Sequence, residues 1–172
     1  MTPQDALTQI IRPTLQAIGM GLWTPAAEEL LLGTAIKESA LVYTRQIGGG
    51  PGRGYWQMEP ATHDDIWKNY LAYRPKLANA VSQFLEEPVT RASDQLETNA
   101  NYACAMARIK YLRVPDALPN VGDLAAQAAY WKQWYNTPAG AGTADEYVDA
   151  WHQAFGEEFA SLPSATSAPS TG

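Results

Sequence analysis

The chain has 172 residues, of which 46% are hydrophobic and 17% charged, so it is long enough to bury a core and predicts one globular domain. The formal net charge is −6, and the spacing of Lys and Arg shows no basic face, which argues against a nucleic-acid partner. The single cysteine, Cys104, excludes an intramolecular disulfide and a multi-thiolate zinc site, and its apolar setting predicts a core residue.

The first two helices are predicted from apolar spacing and from their starts. Over residues 2–19, Pro3 suits a first helical turn and apolar side chains recur at helical spacing, although Pro13 could kink or end the helix. Thr24 and Pro25 form a start signal, a capping hydroxyl before a proline, and the helix they open is expected to run to about residue 42.

A loop and a short β element are predicted next. Residues 47–54 read IGGGPGRG and cannot form regular structure, so they predict a mobile loop. Residues 55–59, YWQME, are β-prone and long enough for one arm of a small hairpin. Two large aromatic residues and an amide directly after the most flexible stretch could serve either packing or binding.

The rest of the chain is predicted to be mostly helical. Helices are expected over residues 60–73, 76–85, 94–114, 123–135 and 144–160. Residues 161–172 have the Ser/Pro/Thr composition of a flexible tail. The sequence therefore predicts a mainly α domain over residues 1–160 with one short β element, followed by that tail.

Glu38 is the first candidate for chemistry because it interrupts an apolar stripe. On the second predicted helix, Leu31, Ala35, Glu38 and Val42 follow one another at steps of four, three and four residues. Such a stripe normally faces the core, and Glu38 lies near the negative end of the helix dipole. Burial and the dipole should both raise its pKa, which suits a general acid, whereas a surface glutamate paired with Lys37 or Arg45 is the alternative.

A metal site is not indicated. His63, Asp64 and Asp65 are adjacent and so point in different directions on a helix, and the other histidine, His152, is far away in sequence. The capping and solvated first turn of a helix explain this group better, and no cofactor is implied.

Three strings occur in an order known from one family. Glu38-Ser39 ends a predicted helix, GYWQMEPAT follows within about twenty residues, and Tyr135-Asn136 comes much later, directly before TPAGAG. This order resembles the soluble lytic transglycosylase group of the lysozyme-like superfamily, which has a Glu-Ser, a G-L-M-Q-apolar string leading into P-A-T, and a Tyr-Asn-Ala-Gly. The resemblance covers roughly residues 25–140.

The resemblance implies an α+β lysozyme-like fold with a β-hairpin beside the active-site cleft, and cleavage of MurNAc-GlcNAc β-1,4 bonds in peptidoglycan. Glu38 would protonate the leaving oxygen and then take a proton from the C6 hydroxyl of the sugar, which closes a 1,6-anhydro ring. Ser39 and Gln57 would orient Glu38 or substrate. The substrate-binding candidates are Ser39, Tyr55, Trp56, Gln57, Met58, Glu59, Tyr135 and Asn136.

Two other functions remain open. A hydrolytic muramidase would need a second carboxylate, for which Glu59, Asp64 and Asp65 are the nearest acids in sequence; Glu59 stands where the family is usually apolar. A virion structural module with a lysozyme-like fold would instead bind cell wall or neighbouring tail proteins.

The resemblance also suggests a bacteriophage lysin that acts on peptidoglycan glycan strands, with phage tail proteins as further partners. No stretch is apolar enough to insert into a membrane, and the first residues, MTPQDALTQ, do not read as a signal peptide. The protein is therefore expected to be made in the host cytoplasm and to act in the periplasm or cell wall, or to be packaged in the virion.

Overall fold

A computed structural model describes residues 1–156 as a mainly helical protein. Helix α1 is a continuous run of Pro3–Asp5, a π-helical turn at Ala6–Ile11 and Arg12–Ile18, and α2 is Pro25–Ser39. The other helices are α3 (Pro60–Asn69), α4 (Pro75–Ser82), α5 (Gln95–Thr98), α6 (Ala100–Leu112), α7 (Leu124–Trp131, continued by a π-helical turn at Lys132–Asn136) and α8 (Ala144–Phe155), with 3-10 turns at Leu71–Tyr73 and Ala92–Asp94. Across residues 1–156, no helix is long and apolar enough to cross a membrane.

Two helices form the centre of the core. In α6 every residue from Tyr102 to Ile109 is buried, and in α2 the same holds from Ala27 to Ile36. Helices that are buried on all sides must be covered by neighbours, and α1, α2, α5 and the segment after α7 pack around α6. Cys104 lies in this core as the sequence predicts.

Helix α1 runs through Pro13 instead of ending there. Proline lacks an N–H and its ring crowds the carbonyl four residues earlier. The π-helical turn lies immediately before it, with the Arg12 N–H bonding to the Leu7 carbonyl. This wider turn explains how the predicted helix continues to Ile18.

Helix α2 ends three residues before the predicted limit. Ala40 and Leu41 take left-handed conformations, with φ of 51° and 56°. The Ser39 hydroxyl accepts a hydrogen bond from the Leu41 N–H at 3.2 Å, which stabilises the reversal of the chain. Val42 is consequently 64% exposed, so its predicted place on the apolar stripe is wrong.

Residues 47–54 form a loop, as predicted, apart from β-bridges at Arg53, but the hairpin is not confirmed. The described residues contain only isolated antiparallel bridges here, Arg45 with Arg53 and Arg53 with Met58. Between Gly52 and Met58, every second residue is buried, which is the period of an extended strand. Turns at Gly54 and Gln57, both at positive φ, keep the segment too short for a ladder.

The predicted helix over residues 94–114 is interrupted at Asn99. Its backbone is extended, its Oδ1 accepts from the Tyr102 N–H at 3.0 Å, and its Nδ2 donates to the Phe84 carbonyl at 2.7 Å. Asn99 is therefore the N-cap of α6 and not a helix interior residue. The helix predicted over 144–160 ends earlier, at Phe155, because Gly156 takes a positive φ of 86°; residues 157–160 and the predicted tail over 161–172 lie outside the described residues.

Candidate active site

Glu38 opens into a polar cavity of about 350 Å³. It is the penultimate residue of α2, and three further segments complete the walls: the loop before α3 together with the first turn of α3, the central helix α6, and the π-helical turn after α7. The lining residues are Glu38, Gln46, Gln57, Glu59, Thr62, Lys110, Tyr135, Asn136 and Thr137. A cavity of this size is in the range of small-ligand sites.

The carboxyl group of Glu38 is only partly accessible and is held by an indole. The Trp131 Nε1 donates to Glu38 Oε1 at 2.9 Å. Burial raises the pKa of Glu38 above its ordinary value, against the opposing effects of the Trp131 hydrogen bond and of the Lys110 and Lys37 charges. The predicted direction of this shift is confirmed, and the group is suited to hold a proton at higher pH than a surface glutamate.

Gln57 has a strained backbone at the edge of the cavity. Its φ is 46°, a conformation that L-residues other than Asn and Asp seldom adopt. The side-chain Nε2 donates to the Gly54 carbonyl at 2.8 Å and, at 3.4 Å, to the Tyr43 carbonyl. Strained residues of this kind collect at functional sites, and Gln57 is fixed by the main chain and not by Glu38.

Tyr135 and Asn136 lie on the π-helical turn and are held by two lysines, of which Lys110 donates to the Tyr135 carbonyl at 2.8 Å. The Tyr135 hydroxyl donates to the Trp56 carbonyl at 2.8 Å, so its ring is a buried wall of the cavity. The Asn136 Oδ1 accepts from Lys132 Nζ at 2.9 Å. The same Lys132 ammonium donates to the Gly140 carbonyl at 2.7 Å and so fixes the loop that follows.

The structure brings together part of the predicted set. Glu38, Gln57, Glu59, Tyr135 and Asn136 line one cavity. The other predicted residues lie outside the lining. Burial contradicts the predicted substrate contact of Ser39, Trp56 and Met58, whereas the half-buried Tyr55 stays a prediction.

Packing explains where these four residues lie. Trp56 is fully buried and its Nε1 donates to the Leu31 carbonyl at 3.0 Å, and Met58 is also in the core. Tyr55 packs half-buried against that core. Ser39 is buried at the end of α2, where its hydroxyl donates to the Ala35 carbonyl at 3.0 Å.

Asp64 and Asp65, two candidates for the second carboxylate of a muramidase, lie away from the cavity. Asp64 pairs with His63 at 2.8 Å, and Asp65 pairs with Arg113 at 2.8 Å, so neither reaches the cavity. His63 is buried against Tyr102 and not part of a solvated turn. Over residues 1–156, no cluster of His, Cys, Asp and Glu could hold a metal ion.

Sequence reasoning missed Trp131, the residue that contacts Glu38, and four residues of the lining: Gln46, Thr62, Lys110 and Thr137. Trp131 precedes Tyr135 by four residues, so helical spacing could have placed it on the same face. Lys110 could have been noticed as one of two cations, with Arg108, in a mostly apolar helix. Gln46, Thr62 and Thr137 carry no signal that distinguishes them from other polar surface residues.

Comparison of the chain with protein-family models, with curated proteins and with solved structures gave no match.

Proposed function

We propose that the chain is a lytic transglycosylase with a lysozyme-like fold, which cleaves the MurNAc-β-1,4-GlcNAc bonds of peptidoglycan. The observation that carries the proposal is the desolvated Glu38 carboxyl, bound by Trp131 and facing a polar cavity beside Gln57, Tyr135 and Asn136. The three motif strings are separate in sequence, and each contributes to this one cavity.

Glu38 serves both proton transfers. Protonated Glu38 donates its proton to the glycosidic oxygen as the bond to the anomeric carbon breaks, and Glu38 becomes a carboxylate. The C6 hydroxyl of the same sugar then attacks that carbon, and its proton returns to Glu38. The products are an anhydro sugar and a free hydroxyl on the leaving sugar, so water is not consumed.

The cavity lining suits an N-acetylated sugar. Because the Gln57 Nε2 is committed to main-chain carbonyls, its amide oxygen is the group that Gln57 offers to a ligand N–H. Asn136, Thr62 and Thr137 add amide and hydroxyl groups for sugar hydroxyls. Substrate orientation by such groups brings the glycosidic oxygen to the acid.

The direct test is glycan release by Glu38→Gln. The amide keeps the shape of the side chain and an acceptor for Trp131 but cannot donate a proton as an acid, so release of soluble fragments from purified peptidoglycan should fall by about 10²–10⁴-fold. Glu86→Gln, an exposed residue outside the cavity, is the matched control and should retain full activity.

Equal activity in Glu38→Gln and wild type would contradict the assignment of the acid. Absence of fragments with folded wild-type protein would contradict the enzyme proposal. That outcome, together with stable co-purification with phage particles, would favour the virion structural module.

A hydrolytic muramidase is a second candidate, because Glu59 lines the same cavity as Glu38. A water molecule activated by Glu59 would then attack the anomeric carbon. Glu59→Gln should lower turnover about as far as Glu38→Gln under this mechanism, and near-normal activity would remove it.

A further inference from the structure

Lys110 is a half-buried cation on the wall of the cavity. It lies on the central helix α6, where its neighbours in sequence, Ile109 and Tyr111, are core residues. Its Nζ donates to the Tyr135 carbonyl at 2.8 Å and lies 3.8 Å from the centroid of the Tyr135 ring. These contacts fix the ammonium group against the π-helical turn that carries Tyr135 and Asn136.

The charged groups around Lys110 come from three segments. Glu38 at the end of α2 and Glu59 before α3 line the same cavity and both favour the charged form of Lys110. Arg113, the C-cap of α6, opposes that form. The other lysine that acts on Glu38, Lys37, pairs with Glu146 at 3.1 Å, away from the lining.

Burial of an ammonium group is costly and is weak evidence for stability. Desolvation lowers the pKa of Lys110 to about 8, against the opposing charges of Glu38 and Glu59. The ammonium group is therefore mainly charged at neutral pH. Because little solvent surrounds it, its charge is poorly screened and acts strongly on neighbouring groups. A leucine or methionine would fill the same space at lower cost.

We propose that Lys110 is a positioning residue for the proposed reaction. It holds the Tyr135–Asn136 turn in place, and its positive charge stabilises the carboxylate form of Glu38 between the two proton transfers. This proposal rests on the proposed function. Without Lys110, protonated Glu38 would be a weaker acid, and the carboxylate formed after proton transfer would lack its main counter-charge within the cavity.

The first test is an NMR titration of the Glu38 side-chain carboxyl carbon in wild type, Lys110→Gln and Lys110→Arg. Lys110→Gln can keep a donor to Tyr135 but removes the charge, so the Glu38 pKa should move to higher pH. Lys110→Arg keeps the charge and should leave that pKa close to the wild-type value. An unchanged Glu38 pKa in Lys110→Gln would overturn the proposal.

Wild-type protein gives an independent measurement if Lys110→Gln does not fold. The Glu38 carboxyl signal should show a second inflection at about pH 8, where Lys110 loses its proton. A signal without that inflection would overturn the proposal. Neither titration depends on substrate, so these results stand apart from the success or failure of the transglycosylase assignment.

The second test is the pH profile of kcat/KM on peptidoglycan. Activity requires protonated Glu38, so it falls as pH rises through the Glu38 pKa. In Lys110→Gln this alkaline limb should shift to higher pH, with a lower maximum, and Lys110→Arg should restore the wild-type position. A lower maximum with an unshifted limb would indicate a purely structural lysine and would overturn the proposal.

Discussion

At the scale of single residues, Glu38 combines features that push its proton affinity in opposite directions. Burial raises the pKa of its carboxyl, while the Trp131 hydrogen bond and the charges of Lys110 and Lys37 lower it. A group that acts first as an acid and then as a base has to be accessible in both forms. The Trp131 hydrogen bond and the two lysine charges stabilise the carboxylate form, so Glu38 can lose its proton as well as hold it.

The raised pKa has a consequence for stability. A carboxyl group whose folded-state pKa lies above its unfolded value favours folding when protonated, and this contribution is lost as pH rises from the unfolded pKa through the folded one. Glu38→Gln removes the ionisation and should therefore be more stable than wild type at pH 7. The difference should shrink toward pH 4, as measured by denaturant unfolding at both values.

Glu86→Gln is the control for this measurement, since Glu86 is exposed and should give no comparable gain. The reverse result, Glu38→Gln less stable than wild type at pH 7, would mean that Trp131 and the lysines outweigh desolvation. The Glu38 pKa would then be depressed, and its role as a proton donor would be contradicted.

The apolar stripe led to Glu38, but only part of the reasoning behind the stripe is correct. Leu31 and Ala35 are buried, but α2 is buried on nearly all sides up to Ile36, and Val42 lies beyond its end. The position near the helix end placed the carboxyl at the mouth of a cavity. Spacing within one helix cannot show this, because the other walls of the cavity come from distant segments.

At the scale of elements, α2 and α8 approach closely at Gly33. A Cβ at this position would overlap the Tyr147 hydroxyl, which is fully buried. Gly33→Ala should therefore destabilise the protein, since overpacking costs about 1–3 kcal/mol and the gain in helix propensity is only about 1 kcal/mol. Thermal unfolding of the variant should show a lower midpoint.

Tyr147→Phe provides the matched background. It removes the atom nearest to the added methyl group, and that hydroxyl has no hydrogen-bond partner among the described residues. Gly33→Ala should cost less in Tyr147→Phe than in wild type, which a double-mutant cycle measures. Equal costs in both backgrounds would show that α2 and α8 are not in contact at Gly33.

Most helices could be predicted from the sequence because apolar spacing and proline starts are local signals. The limits at Ser39 and Asn99 were missed for a shared physical reason. In both cases a short polar side chain bonds to a nearby main-chain N–H and ends or restarts the helix. The apolar residues that follow, Leu41 and Val42 after Ser39, looked like a continuation of the pattern.

The segment GYWQMEPAT combines core residues and cavity-lining residues in one string. Trp56 and Met58 point into the core, and Gln57 and Glu59 face the cavity, although the backbone between Gly54 and Gln57 is a turn and not an extended strand. That alternation was readable in the sequence. It was missed because aromatic residues beside a flexible loop also suit a sugar-binding groove, and composition alone does not decide between the two.

At the scale of the whole molecule, the cavity exists only because four distant segments meet. Glu38, Gln57, Lys110 and Tyr135 come from different parts of the chain, and only the resemblance to a known motif order predicted that three of them would be neighbours. Lys110 belongs to none of those strings. Its position depends on the packing of α6 in the centre of the fold, which the sequence does not reveal.

The most direct test of the central proposal is the mass of the products that the full chain releases from purified peptidoglycan. We predict soluble fragments lighter by one water than reducing muropeptides, formed by wild type and Glu86→Gln and lost in Glu38→Gln. Fragments of the full hydrated mass, again lost in Glu38→Gln, would contradict the transglycosylase and indicate a muramidase that uses Glu59. Anhydro fragments that persist in Glu38→Gln would contradict the assignment of Glu38 itself.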